Sequence, residues 1–347
     1  MIPFIHEYGA TDFRSVGLGG LSDCASCVVY EERNGEYSLT LDYPANGINA
    51  GILKTGRLIA IVRDTDGTIE PFEIYQVPRP LRGMLTVKAF HVSYGLSRYI
   101  VAPGTYSGQN ANDLIANLCA GVIATGCGPF EFDASSDFGT KTLKVATPRS
   151  LKNALLGEEG SFLQKYGGDF VFSKYVVSHS AHAGETCSHP LFEGIHVQSA
   201  THETDISSAY GAVVPYWQRD DTVICYNGLC TGDSYDASKP VVTALDVSQD
   251  IDVADDATPT QAQLESAGNA YIRVPGRGAA VDRWEVELNA GIEDLHIRDY
   301  VNIALRDGTY LQSRVASVEW DCLKERYNKI TLGTVRESLY KAIRKVR

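Results

Sequence analysis

A chain of 347 residues exceeds one ordinary core and predicts two or three domains. Apolar residues make up 44 % of it and charged residues 21 %, and no apolar run approaches the roughly 18 residues of a membrane helix, so insertion of this chain into a membrane is not expected. A net charge of −12 opposes a nucleic-acid partner gripped through its phosphates; DNA near this protein would only pass by.

The N-terminal stretch MIPFIHEYGATDF carries Glu7 and Asp12 and no cationic flank before an apolar segment, so a secretory signal is not expected and synthesis in a cytoplasm is. Residues 1–102 read as all-β. Cys27–Arg33 and Tyr37–Tyr43 flank Asn34-Gly35, a strong hairpin signal, and Arg57–Arg63 and Ile69–Val77 flank Asp66-Gly67 in the same way. With a further strand after Gly83, these short strands predict a small antiparallel barrel or sandwich.

From 103 to 200 the pattern turns to mixed α/β. Ala111, Leu114, Ile115, Leu118 and Val122 share one face of a helix over 110–122. Thr147 and Pro148 predict the start of a second helix with Leu151, Leu155 and Leu156 inward, stopped by Gly157. Phe162, Leu163 and Tyr166 form another turn closed by Gly167, and strands follow over 169–172 and 175–180.

Residues 201–248 return to β, with strands from Ala212 and from Thr222. The acidic run Asp246–Asp256 reads as a solvated linker, and Thr258-Pro-Thr-Gln261 as a capping box opening a helix to about Arg273, before Pro275-Gly276. Strands fill 276–335, with Asp307-Gly308 at a turn. The expected architecture is mainly β with an α+β insertion: β regions before and after it bracket a mixed α/β domain over 103–200. Residues 249–275 form a linker and helix excursion, and the basic segment 336–347 a C-terminal helix.

The eight cysteines are spread over the whole chain, as in a protein of a reducing compartment. Cys225-Tyr-Asn-Gly-Leu-Cys230 places an Asn-Gly turn midway between two of them. A two-residue loop there would set Cys225 opposite Cys230, at a separation a disulfide spans in oxidising surroundings. In Cys24-Ala-Ser-Cys27 the chain runs into strand residues rather than a helix N-terminus, which favours buried or idle thiols over a redox motif.

His179, His182, Cys187 and His189, with His196 and His202 nearby, are residue types that bind zinc. Their spacing fits no standard ligand pattern, and strand alternation points neighbours to opposite faces, so a structural origin outweighs a metal site and no cofactor is expected. HExxH, GxSxG and phosphate-loop motifs do not occur, and two carboxylates for a glycosidase mean little among 43 acidic residues. Trp217, Trp284, Trp320 and 19 tyrosines could make a sugar-binding face, but core and interface packing is the preferred reading.

Gly160-Ser-Phe-Leu-Gln-Lys-Tyr-Gly-Gly-Asp-Phe170 and Trp320-Asp-Cys-Leu-Lys-Glu-Arg-Tyr-Asn-Lys-Ile-Thr-Leu-Gly333 resemble the N-terminal module of phage tail-associated lysins, the minor structural or baseplate hub proteins of long-tailed phages. Glu31–Pro44, Phe72–Val77, Ala89–Tyr94 and Val214–Tyr216 echo the same family, in order along almost the whole chain. The resemblance implies two related antiparallel β-barrels, 1–102 and 201–248 plus 276–335, around the α/β domain of 103–200, and a homotrimeric ring in the virion, made in a bacterial host cytoplasm. That ring would cap the tail tube below the distal tail protein hexamer, with the tape measure protein and a tail fibre or receptor-binding protein as further partners. Many relatives continue into a wall-degrading domain, whereas this sequence stops at Arg347. A non-enzymatic structural role is therefore expected, and the docking half of a tail-borne peptidoglycan hydrolase is the alternative.

Overall fold

The computed structural model describes residues 2–333, apart from 64–66, 79–82, 125, 135–138, 158–159, 182, 188–189, 255–256, 275–276, 289–294, 307 and 309. The C-terminal helix expected over 336–347 lies outside the described residues, as do Asp66 and Pro275-Gly276 of the expected turns.

The first hairpin forms as its turn chemistry demands. Ser26–Glu32 pairs antiparallel with Tyr37–Pro44, and Asn34 takes the positive φ of 56° that the tight loop needs. Along Tyr37–Pro44 the alternate residues Tyr37, Leu39, Leu41 and Tyr43 are buried, the period of a strand with one face on a core. Met84–His91, Ile69–Gln76, Leu58–Val62, Phe4–His6 and Gly19–Gly20 extend the sheet strand by strand.

On its other side Ser26–Glu32 pairs with Tyr310–Asp321, from the far end of the sequence. Arg326–Gly333, Val281–Leu288 and Val197–Asp205 follow outward, and Tyr300–Ala304 pairs with Tyr310–Asp321 as a branch that carries Leu191–Phe192. The result is one 13-stranded sheet running through both halves, open at both ends of its path; no closed barrel forms among the described residues. One core lies along it, from Ile5, Leu39 and Phe72 through Val286, Val315, Trp320 and Leu332. The two halves are welded edge to edge.

The α/β insertion has its own core, in which Leu114, Leu118, Leu151, Leu155, Phe162 and Phe170 are buried. Helix Ala111–Ala120 is capped by the Asn110 side chain, which accepts from Asp113 N at 2.9 Å. The second helix starts later than Thr147 and Pro148 predict: Arg149–Ser150 is held extended by pairing with Ile100–Val101, so Ser150 caps Leu151–Leu156. The turn Phe162–Tyr166 ends at Gly167 with φ 68°, as expected.

A second difference concerns residues 206–274. Ala212–Arg219, Thr222–Cys225, Cys230–Thr231 and Val242–Asp246 make a separate four-stranded sheet and do not join the strands of 281–333 with which the sequence groups them. Helix Gln261–Ile272 packs beside it, burying Leu264 with Trp217, Val247 and Ile251. Its capping box closes on Thr260 and Gln263 rather than Thr258 and Gln261, because the Gln261 side chain is drawn away to Asn227 N and Cys225 O.

Candidate functional site

The zinc candidates among the described residues do not converge. His179 is buried between Phe162 and Phe170, its ring centroid 4.8 and 4.7 Å from theirs, and its Nε2 lies 3.1 Å from Gly167 O. Cys187 follows an isolated bridge to Tyr300, and its N–H donates to Tyr300 O. His196 accepts from Phe192 N, and His202 stacks on Trp284 at 4.4 Å while its Nε2 lies 2.6 Å from Asp282. His182 and His189 lie outside the described residues, and among the described residues no group of three metal-binding side chains gathers. Trp217 and Trp320 are buried, so the tryptophans build no common sugar-binding face.

The Asn-Gly hairpin between Cys225 and Cys230 is replaced by a different geometry. Both flanking segments run along the same partner, with Cys225 opposite Tyr216 and Cys230 opposite Val213, and residues 226–229 loop out between them. Neither Asn227 nor Gly228 has the positive φ of a type I′ turn. The cysteines lie in line along one strand rather than face to face, Cys225 exposed and Cys230 buried, and both thiols are free.

What the fold does assemble is a buried polar junction between the large sheet and the α/β insertion. Asp169 has a fully buried carboxylate; Arg33 Nε and Arg314 Nη2 each approach it at 2.5 Å, and Ala183 N donates at 3.0 Å. Glu31 pairs with Arg63 and lies 3.4 Å from Arg298, whose guanidinium is buried and donates to Phe170 O at 2.6 Å. The Asn34 side chain behaves like a length of backbone, giving to Gly168 O and accepting from Phe170 N. The hairpin turn legible in the sequence is thus the bracket on which the insertion hangs.

A second joint lies beside it. Glu70 accepts from Ser173 Oγ at 2.8 Å and Lys174 N at 2.6 Å, both on the insertion, and faces His91 Nε2 at 3.1 Å. His91 Nδ1 lies 2.9 Å from Ser93 Oγ, and its ring stacks on Tyr37 at 4.3 Å. Carboxylate, imidazole and hydroxyl repeat the composition of a nucleophilic triad. Glu70, His91 and Ser93 are 1 %, 0 % and 4 % exposed, so no substrate reaches the hydroxyl and the trio acts as a joint.

These groups give the fold a one-sided response to acid. Burial alone would raise Glu70 and Asp169, but His91 for the first and Arg33 for the second, helped by backbone N–H donors, hold both below the ordinary carboxylate range. Burial keeps His6 and His179 neutral by lowering their pKa. In every case the unfolded chain binds the proton better, so stability is full above the ordinary pKa and is lost as pH falls through the lowered one. Urea midpoints should hold near neutrality, decline below about pH 6.5 as unfolded histidines take up protons, and fall steeply below 4.5 and 3.8 where Glu70 and Asp169 join. A midpoint unchanged from neutrality to pH 4 would contradict this assignment.

A cleft of about 420 Å³ opens between the insertion and the small sheet with its helix, walled by Leu143, Gln164, Leu245, Ile251 and Tyr271. Lys165 to Asp250 at 3.2 Å and Lys144 to Asp252 at 3.8 Å are exposed ion pairs beside it, each contributing under about 1 kcal/mol. Arg277 donates to Gln164 O at 2.7 Å.

No family model and no curated protein matches the sequence. Solved structures do. Prophage tail protein gp18 from Listeria monocytogenes EGD-e superposes with a TM-score of 0.61 at 11 % identity, covering 100 % of this chain and 98 % of its own. The chain has the fold of a phage tail protein. The 43 kDa tail protein of prophage MuSo2 from Shewanella oneidensis gives 0.62 at 11 % identity over 97 % and 98 %. A tail protein from Neisseria meningitidis MC58 gives 0.58 at 9 % over 96 % of each chain. At such identities the likeness lies in the path of the backbone. The joints described above belong to the side chains of this sequence.

Proposed function

We propose that this chain is a structural hub of the virion at the tip of a long non-contractile phage tail. It acts as a homotrimer that caps the tail tube beneath the distal tail protein hexamer and lets DNA pass. The observation that carries the reading is the end-to-end likeness to prophage tail proteins, which takes in both halves of the large sheet and both inserted units rather than one common module. The buried joints suit it: they hold the large sheet and the α/β insertion in fixed relation through ion pairs and hydrogen bonds closed off from solvent. The charge of −12 suits a lumen that repels phosphates and leaves passing DNA unbound. No helix among the described residues is long and apolar enough to cross a membrane. The tape measure protein above and a tail fibre or receptor-binding protein below are the remaining partners in this reading.

Light scattering on the purified chain, alone and with the distal tail protein, tests the proposal. A trimer mass, or a ring forming on the hexamer, is the expected result. A monomer in both samples would sink it. Clearing of bacterial cell walls by this chain alone would replace it with the hydrolase reading.

A further inference from the structure

The sequence offers Cys24 and Cys27 as an isolated pair, but the seam of the large sheet adds a third thiol. Continuing the register in which Val28 faces Asp321 sets Cys27 directly opposite Cys322, and Cys322 N donates to Cys27 O at 2.9 Å. Opposed strand positions of this kind lie within the reach of a disulfide. Cys27 and Cys322 are buried in the shared core, while Cys24 is partly exposed and packs against that core. The turn before the strand fixes Cys24: its N–H donates to Leu21 O, and its Sγ lies 3.1 Å from Ser26 O and 3.7 Å from Asp42 O. On the other side Asp321 Oδ1 accepts from Leu323 N and Lys324 N, both at 3.1 Å, which fixes the turn containing Cys322.

We propose that Cys24, Cys27 and Cys322 form a thiol relay in which a peroxide oxidises the accessible Cys24 and the resulting disulfide moves inward to join Cys27 to Cys322, stapling the seam between the two halves of the sheet. Cys24 thiolate attacks hydrogen peroxide; the O–O bond breaks, one oxygen stays as the sulfenic acid and hydroxide leaves. Cys27 Sγ attacks the Cys24 sulfur, the S–O bond breaks, and water departs with the thiol proton. Cys322 thiolate then attacks Cys27 Sγ and Cys24 leaves as thiolate. Two thiols and one peroxide thus give one disulfide and two waters.

The electrostatics give the relay its direction. The Cys27 thiol hydrogen-bonds to the Cys24 sulfur and holds Cys24 below the ordinary thiol range, against burial and the carboxylates of Asp42 and Asp321. Cys27 is pushed well above that range, by its contact with Cys24 first, then by Cys322 and burial. The outer cysteine is therefore both the first to be oxidised and the better leaving group in the exchange.

Graded hydrogen peroxide on the reduced, full-length protein, followed by alkylation and non-reducing tryptic mapping, tests the relay. The peptide Ser15–Arg33 with an internal disulfide should appear first, followed by the same peptide joined to Val315–Lys324. Cys24→Ser should slow the joined product about tenfold by removing the low-pKa thiol, and Cys322→Ser should arrest the reaction at the internal disulfide. Two results would overturn the proposal: wild-type protein accumulating Cys24 sulfinic acid without the joined peptide, or Cys24→Ser forming it at the wild-type rate. The wild-type time course decides the matter even if a variant fails to fold.

Discussion

Asp169→Ala should cost about 3–5 kcal/mol of stability, because it leaves the guanidinium groups of Arg33 and Arg314 at a buried junction without their carboxylate. Ala183 N loses its acceptor as well. The same residue follows Gly168 and precedes Phe170, the two positions held by Asn34, so the loss is focused on the attachment of the insertion to the sheet. Urea unfolding followed both by tryptophan fluorescence and by proteolysis within 103–200 would measure it. The insertion should become cleavable at lower urea than the sheet unfolds. Asp169→Asn keeps the shape and removes the charge, and should fall between wild type and Ala. A loss under about 1 kcal/mol for Asp169→Ala would mean that the arginines find water instead, and that the carboxylate is not what holds the junction.

Trp320→Ala should cost a similar amount, about 3–5 kcal/mol, through lost burial and the cavity left behind. Trp320 lies on the strand Tyr310–Asp321 opposite Val29, is 1 % exposed, packs edge-on against Tyr327 at 4.8 Å and donates from Nε1 to Val62 O at 3.2 Å. It touches both halves of the sheet. If those halves share one core, the variant lowers the stability of both together and the transition stays single. Two separated transitions, with the residues 1–102 half unaffected, would restore the picture of two independent barrels.

The parts legible in the sequence are those set by neighbours along the chain. Asn34-Gly35 between alternating apolar runs fixes its hairpin, and Asn110 followed by Leu114 and Leu118 fixes its helix, since turn chemistry and helical period act within a few residues. Caps were displaced where a distant segment competed. Pairing with Ile100–Val101 holds Arg149–Ser150 extended, and the loop at Cys225 recruits Gln261. The hairpin expected at Asn227-Gly228 loses to Ala212–Arg219, which offers one continuous edge to both segments that flank it. The polar junction left no local signal, because Glu31, Arg33, Asp169, Arg298 and Arg314 look like ordinary charged positions until the fold brings them together. The third thiol beside Cys24 and Cys27 was hidden for the same reason.

The pairing of Ser26–Glu32 with Tyr310–Asp321 also sets a timetable for synthesis. Ser26–Glu32 has a flank that stays unpaired until the distant strand Tyr310–Asp321 has been made, and pairings so far apart in sequence are slow to find each other. During that interval the flank is a template for any other exposed strand, including the same strand of a neighbouring nascent chain. Yield should therefore depend on how closely copies are spaced on the messenger, and lowering the rate of initiation should recover more folded protein than slowing elongation does.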